Sequence, residues 1–462
     1  MAESWFMSYE TALAQMYALG HELAQTPAQK FDLAHMRVLL AALGHPEKSF
    51  ASVLVAGTNG KGSTAATLAS ILQAAGLKSG LYTSPHLLQI NERIQVDREP
   101  IRDDDFARLH DGVDGTAERL VREGDLPWHP SFFEMLTAMA FEHFKRVQPD
   151  VAVLEVGMGG RLDATNVVEP RVSVITDIAL DHQKYLGNTI GEIAREKTGI
   201  IRRGGAVVML PQLPEANDVI GNAILDRGAQ AVNAVPYVPP VSPGSSQYLV
   251  PSGQWSVASG PLLMQRYPLE VLGETIVVDS PLMGRHQLRN VALAIAAAVE
   301  LRQQGLTEIT AKAIERGIRE TRWPGRFQVV PSVGGSPEYV LDVAHNPAGA
   351  WALRSTLSQA YGERPFTLVF GVMRDKAVAE IAEILFPIAE QVIVTHANNP
   401  RSASAEEIRQ AAARVAGDIR EAANVPSALA DAGRIAGREV LVVVTGSIYI
   451  VGEAMRRLGL RI

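Results

Sequence analysis

Short apolar runs alternate with helical patterns along most of the chain. SVLVAG (52–57) precedes KGSTAATLASILQAAG (61–76), and VAVLEVG (151–157) follows FFEMLTAMAFEHFKR (132–146). Further runs are RVSVITDI (171–178), GAVVML (205–210), EYVLDVA (338–344), FTLVFGV (366–372), QVIVTHA (391–397) and EVLVVVTG (439–446). Continuous hydrophobic strands between helices predict parallel sheets covered on both faces. The expected class is α/β: an N-terminal P-loop-type doubly wound domain, then a smaller Rossmann-like α/β domain.

Two stretches break the alternation. Residues 212–280 include VPPVSPGSSQYLVPSG and the weakly alternating YPLEVLGETIVVDS. They predict a loop and a small antiparallel subsheet on the first domain. In RETRWPGRFQ (319–328), Pro324-Gly325 stops a helix before a new strand series. The domains are therefore expected at 1–320 and 321–462.

Composition narrows the function classes. At 462 residues the chain exceeds one core. A net charge of -7 and a pI near 5.9 argue against a broad basic surface for nucleic acid. With no cysteine there is no disulfide, thiol nucleophile or cysteine-held zinc, which fits a reducing cytoplasm. No apolar run reaches the roughly 20 residues a membrane span needs. MAESWFMSYETALAQMYALG lacks a basic leader and reads as an amphipathic first helix, not a signal peptide. These features fit a cytoplasmic protein that does not enter membranes.

The candidate chemistry sits where strands end. VLVAGTNGKGSTAATLAS (53–70) is close to G-x-x-x-x-G-K-[ST], but Val55 stands at the first glycine position and Gly62 follows Lys61. The hydroxyls of Ser63 and Thr64 come one position late. Backbone N–H groups and the helix dipole converge at such a strand-to-helix turn and make an anion site, with Lys61 as a mobile cation. The bland alternative is a glycine turn with an incidental lysine. Glu155 ends an apolar strand where an acid could hold magnesium, Asp181 and His182 follow another, and Ser84 lies in YTSPHL. Each has an ordinary structural reading too, as cap, solvated acid or core histidine.

Together these motifs resemble one family. GTNGKGST, YTSPHL, LEVGMGGRLDATN, DHQKYLG and REKTGI, then GRHQLRNVALA, WPGRFQ, LDVAHNP and VTGSIYIVGEA, are similar in order and content to the folylpolyglutamate synthases and bifunctional dihydrofolate synthases of the Mur ligase superfamily. The displaced hydroxyl is that family's usual form. The resemblance implies an ATP-dependent ligase that adds L-glutamate to a folate carboxylate, and to dihydropteroate, through an acyl phosphate. It needs no enzyme nucleophile, only positioning and charge neutralisation.

By resemblance, Thr58, Asn59, Gly60, Lys61, Gly62, Ser63 and Thr64 cradle phosphates, Asn290 meets the base, and Arg326 and Asp342 reach the nucleotide. Ser84, Glu155, His182 and a carbamylated Lys197 ligate magnesium, at two sites. Lys61, Glu155, His182, Lys197, Asp342 and His345 form the catalytic set. Phe31, Asp32, Ser131, Phe132, Phe133, Glu134, Arg161, Leu162 and Asp163 align with pterin-binding segments, and Arg401 of NNPRS with the place of the incoming glutamate. The family implies a monomer. Ala377, where many relatives carry an acid, departs from the pattern. Two rivals stand beside this: a Mur-type ligase acting on a peptidoglycan precursor, and a non-catalytic nucleotide switch, for which no N-K-x-D guanine motif is present.

Overall fold

The computed structural model describes residues 7–20, 32–240, 249–251, 263–334, 336–415, 419–436 and 441–461. Contacts divide the chain into two units: 1–84 with 90–238 and 290–317, and 85–89 with 239–289 and 318–462.

The first unit is built on eight strands: β1 (Ser52–Ala56), β2 (Ser79–Tyr82), β3 (Ile94–Val96), β4 (Glu99–Pro100), β5 (Val151–Glu155), β6 (Val172–Ile175), β7 (Ala206–Met209) and β8 (Gln230–Asn233). Their order is β4-β3-β2-β5-β1-β6-β7-β8, parallel from β2 to β8 and antiparallel at β3 and β4. Around it run α1 (Tyr9–Ala18), α2 (Leu33–Ala42), α3 (Lys61–Ala74), α4 (Asp103–Glu123), α5 (Phe132–Val147), α6 (Gln183–Leu186), α7 (Ile190–Lys197) and α8 (Pro214–Arg227), followed by α9 (Arg285–Gln303) and α10 (Ala311–Arg319).

Every residue of β1 is buried, as a strand covered on both faces must be. Leu54 and Ala56 join a core with Met135, Leu136 and Met139 of α5. α3 is buried almost throughout, and its small residues let neighbours approach closely. The Ser70 hydroxyl donates to Gly317 O at 2.7 Å, and a Cβ on Gly317 would collide with Ile71.

The second unit holds a six-stranded sheet of β12 (Gln328–Val330), β13 (Glu338–Leu341), β14 (Phe366–Phe370), β15 (Gln391–Val394), β16 (Ile419–Glu421) and β17 (Leu441–Thr445), in the order β12-β13-β17-β14-β15-β16. It is parallel except for β12. α11 (Pro347–Tyr361) follows β13. A separate antiparallel sheet joins β9 (Leu249–Pro251), β10 (Leu263–Val271) and β11 (Glu274–Ser280). The two-residue turn between β10 and β11 is Leu272-Gly273, both at positive φ (56° and 80°), which suits a tight hairpin.

The α/β class and the antiparallel subsheet agree with the sequence pattern. Residues 212–233 differ from it: they form α8 and the parallel edge strand β8 rather than loop. α8 begins at Pro214, after the exposed Leu213, and leaves its own Leu225 exposed, so its apolar stripe is too broken to read. Contacts also group residues 239–289 with the second unit, whereas the pattern attaches them to the first.

Candidate active site

The carboxyl edge of the first sheet carries the phosphate-loop candidate. After Ala56 the chain turns at Gly57, where a Cβ would collide with Thr176. The N–H groups of Thr58 and Asn59 donate to Asp177 O at 2.9 and 3.2 Å. The Thr58 hydroxyl donates to Ala179 O at 3.0 Å and accepts from Ala179 N at 3.1 Å, stapling the loop to the exit of β6. Gly60 opens α3 at φ 89°, and a side chain there would strike Asn290. It supplies no capping side chain, so the helix presents the first amides, from Lys61 to Ser63, to an incoming anion. Lys61 Nζ rests on Thr58 O at 3.3 Å. Ser63 and Thr64 are buried, and Thr64 N donates to Gly60 O at 2.9 Å. The Thr64 hydroxyl donates to Asn290 O at 3.4 Å.

Three of the proposed metal-site residues lie close to this turn: Glu155 by sheet register, Ser84 through its bond to Glu155 and Lys197 through its bond to Gly57. Glu155 ends β5 opposite Val55, is buried, and accepts the Ser84 N–H at 3.2 Å. Lys197, the last residue of α7, is buried and donates to Gly57 O at 2.8 Å. Burial, then the charge of Lys61, pull its pKa down to about 7 against the opposing carboxylates Asp181 and Asp163. His182 sits in left-handed backbone at φ 49° with its N–H on Asp181 Oδ1 at 2.8 Å. Among the described residues, no three His, Asp or Glu side chains cluster closely enough to hold a metal ion.

The pterin candidates divide. Ser131 and Glu134 form the capping box of α5. Phe132 is core, stacked on Tyr17 at 6.1 Å with the Arg93 guanidinium 5.4 Å from its ring. Phe133 is half-buried and lies over Gly157, where an added Cβ would stand 2.6 Å from the ring. Asp163 is buried and takes Met158 N at 2.9 Å, Thr165 N at 3.0 Å and the Thr165 hydroxyl at 2.6 Å, so it stitches its own loop. Burial raises its pKa despite these donors. Arg161 is exposed and forks onto Glu196. Leu162 is half-buried, and Asp32 caps α2 through Ala34 N at 2.8 Å. Phe31 lies outside the described residues.

In the second unit, Asp342 leaves β13 buried and accepts Phe327 N at 2.8 Å and Ala344 N at 2.9 Å. Burial raises its pKa, against the lowering charge of Arg326. His345 Nδ1 donates to Val343 O at 2.9 Å, leaving Nε2 as the ring's other polar atom. Arg326 Nη1 donates to Gly325 O at 3.3 Å. Arg401 follows β15 and pairs with Asp375 at 2.8 Å. Sequence reasoning passed over Asp177, Thr176 and His35; a backbone acceptor, a wall and a buried ring leave no spacing signal.

The second unit contains a match, over residues 325–448, to the family described as "Mur ligase, glutamate ligase domain". Fold and edge chemistry thus define a Mur-type ligase. The chain is 36% identical to the folylpolyglutamate synthase of Lacticaseibacillus casei, over 82% of this chain and 83% of that one. It is 34% identical to the dihydrofolate synthase/folylpolyglutamate synthase of Bacillus subtilis, over 93% and 95%. Among solved structures, Mycobacterium tuberculosis folylpolyglutamate synthase complexed with ADP and AMPPCP superposes with a TM-score of 0.82 at 32% identity, covering 97% of this chain and 99% of that one. E. coli FolC in complex with DHPP and ADP gives 0.78 at 30% identity, covering 98% of each. This chain belongs to the folylpolyglutamate synthase and dihydrofolate synthase family.

Proposed function

We propose that the enzyme ligates L-glutamate to folate carboxylates at the expense of ATP, and accepts dihydropteroate as well. The observation that carries this reading is the glycine-opened N-terminus of α3 with Lys61, set beside the buried Glu155 and Lys197. Such an edge binds phosphate and neutralises charge, and offers no nucleophile of its own.

A folate carboxylate oxygen attacks the γ-phosphorus of ATP, the bond to the bridging oxygen breaks, and ADP leaves. The amino nitrogen of glutamate attacks the acyl carbon, the C–O bond to phosphate breaks, and the nitrogen sheds its proton. The amides of residues 61–63 and the Lys61 side chain hold the phosphates through both steps, with Asn290 beside the base. By family resemblance Arg326, Asp342 and His345 are assigned to the nucleotide and Arg401 to the glutamate carboxylate. Phe133 offers a flat apolar face to the pterin ring, with Asp32, Arg161 and Leu162 at its rim.

Ser84, Glu155, His182 and Lys197 would hold magnesium, which when bound offsets phosphate charge. Lys197 fits its carbamate. A buried amine with a pKa near 7 is available in neutral form to attack carbon dioxide, giving N–COO⁻ and a proton. The enzyme acts as a cytoplasmic monomer; no described helix is long and apolar enough to cross a membrane.

The test is glutamate-dependent phosphate release from ATP and magnesium, with tetrahydrofolate and dihydropteroate as separate acceptors. Release with both supports the full reading. Release with tetrahydrofolate alone removes the dihydropteroate activity, and silence with both, from folded protein that binds ATP, directs attention to peptidoglycan precursors.

A further inference from the structure

One histidine faces the turn Leu126–Ser131 that leads into α5, another lies within it, and each ring faces two acceptors. His35 on α2 has Nδ1 3.0 Å from Glu134 Oε1 and Nε2 3.0 Å from Trp128 O. His129 has Nε2 3.1 Å from Asp114 Oδ1 and Nδ1 3.0 Å from Pro130 O. A carbonyl cannot donate, and an ionised carboxylate cannot donate either. A neutral imidazole has one N–H, so it satisfies only one of its two acceptors. Only the imidazolium form satisfies both acceptors at each ring. We propose that His35 and His129 are positioning residues that, as imidazolium ions, clamp this turn and so set the Ser131–Glu134 segment of α5 for the folate substrate.

The surroundings support charge at both rings. Burial alone would raise the pKa of Glu134, yet the bonds from His35 and then Ser131 take it below the usual carboxylate range. The same Glu134 accepts Ser131 N at 2.8 Å and the Ser131 hydroxyl at 2.6 Å, so the His35 bond and the α5 cap share one carboxylate. The Asp114 bond, opposed by burial, raises the pKa of His129 and lowers that of Asp114. Glu118 on α4 adds attraction to His129, and burial followed by the charge of His129 lowers the pKa of His110 on that helix. The Trp128 ring stacks on His35 at 5.7 Å, so the turn is gripped by ring and carbonyl together. α2, α4 and α5 are thus tied to one six-residue turn.

The sign follows from the two kinds of group. The raised His129 contributes stabilisation that is complete below its ordinary pKa and is lost as pH rises through its folded value. The lowered Glu134 and Asp114 contribute above their ordinary pKa values and lose it as pH falls through the folded ones. The clamp therefore holds between the carboxylate and imidazole titrations and opens on the alkaline side.

The effect on substrate rests on the proposed placing of folate at the start of α5, so the experiment separates the two. In the full-length protein, nitrogen NMR of the histidine rings near pH 7 reads protonation. Both rings are expected doubly protonated, identified by their loss in H35R and H129Q; a neutral His35 ring overturns the clamp. From about pH 6 to about pH 8.5 the KM for tetrahydrofolate is expected to rise roughly threefold to tenfold, with the KM for ATP unmoved. H35R, whose guanidinium keeps several donors at every pH, should flatten that rise, and H35Q should show a high KM throughout. Identical profiles for wild type and H35R overturn the positioning role. Should F133A leave the tetrahydrofolate KM unchanged, the folate placement fails instead. The clamp is then judged by amide exchange at residues 127–131, expected to quicken at alkaline pH in wild type beyond H35R.

Discussion

At the carboxyl edges of the two sheets Lys197 and Asp342 are both buried, and burial drives them towards neutrality from opposite sides. Lys197 in the first unit is pulled down to about pH 7 by burial and then by Lys61. Asp342 in the second is pushed up by burial, against Arg326 and two backbone donors. The difference lies in their partners. Lys197 donates to one carbonyl beside a neighbouring cation, and the charges of Asp181 and Asp163 offset burial only in part, a poor environment for an ammonium. Asp342 has two N–H groups aimed at its oxygens, a good one for a carboxylate. The first edge is prepared to change its charge chemically, and the second to keep its geometry.

Removing the cation that depresses Lys197 breaks the contrast most sharply. K61A is expected to lower kcat about a thousandfold, because phosphate charge loses its mobile counterion. The same variant should raise the Lys197 pKa and diminish a carbamate signal from labelled bicarbonate. If that signal is undiminished in K61A, Lys61 does not govern Lys197.

Bicarbonate dependence has a smaller effect and a defined sign. Lys197 titrates lower when folded than the ordinary lysine near 10.4, so between about 7 and that value the unfolded chain binds more protons, and stability rises with pH. The neutral amine likewise becomes available as pH rises through about 7. Carbon dioxide removal near pH 8.5, where the neutral amine forms the carbamate, should therefore cost activity roughly tenfold more than removal near pH 6. Equal losses at both would detach activity from this lysine.

At the second edge D342N keeps the volume but replaces one acceptor oxygen by an NH₂ that faces a backbone N–H. A stability loss of about 1–3 kcal/mol is expected, read by denaturant unfolding, with a fall in turnover smaller than that of K61A. An unchanged stability would show that the two amides find other partners.

How much of this was legible in sequence follows from how local each cause is. The strand-to-helix turn at 57–64 is written in adjacent residues, and the apolar runs give the sheets their strands. Asn290 against Gly60, or Trp128 O against His35, depends on chain segments far apart, and single-sequence patterns carry no register between them. α8 hid for another reason: an edge helix with its leucine exposed has no clean period. Asp163 shows the converse hazard. Its motif is plain, yet its carboxylate is occupied by Met158 and Thr165.

The smallest effect comes at Arg161, which separates surface pairing from substrate contact. Its guanidinium forks onto Glu196, but the arginine side chain is 55% exposed, where solvent screens the charge. Such a pair contributes about 0–1 kcal/mol, so R161A should barely move the unfolding midpoint. The backbone is held independently, because Arg161 N donates to Glu196 O at 2.8 Å and the neighbouring Gly199 packs against Arg161 Cα. A stable R161A variant whose tetrahydrofolate KM rises severalfold would assign the side chain to the acceptor. An unchanged KM would leave it as an exposed tie between its loop and α7, and the aromatic face of Phe133 would then be the stronger claim on the pterin.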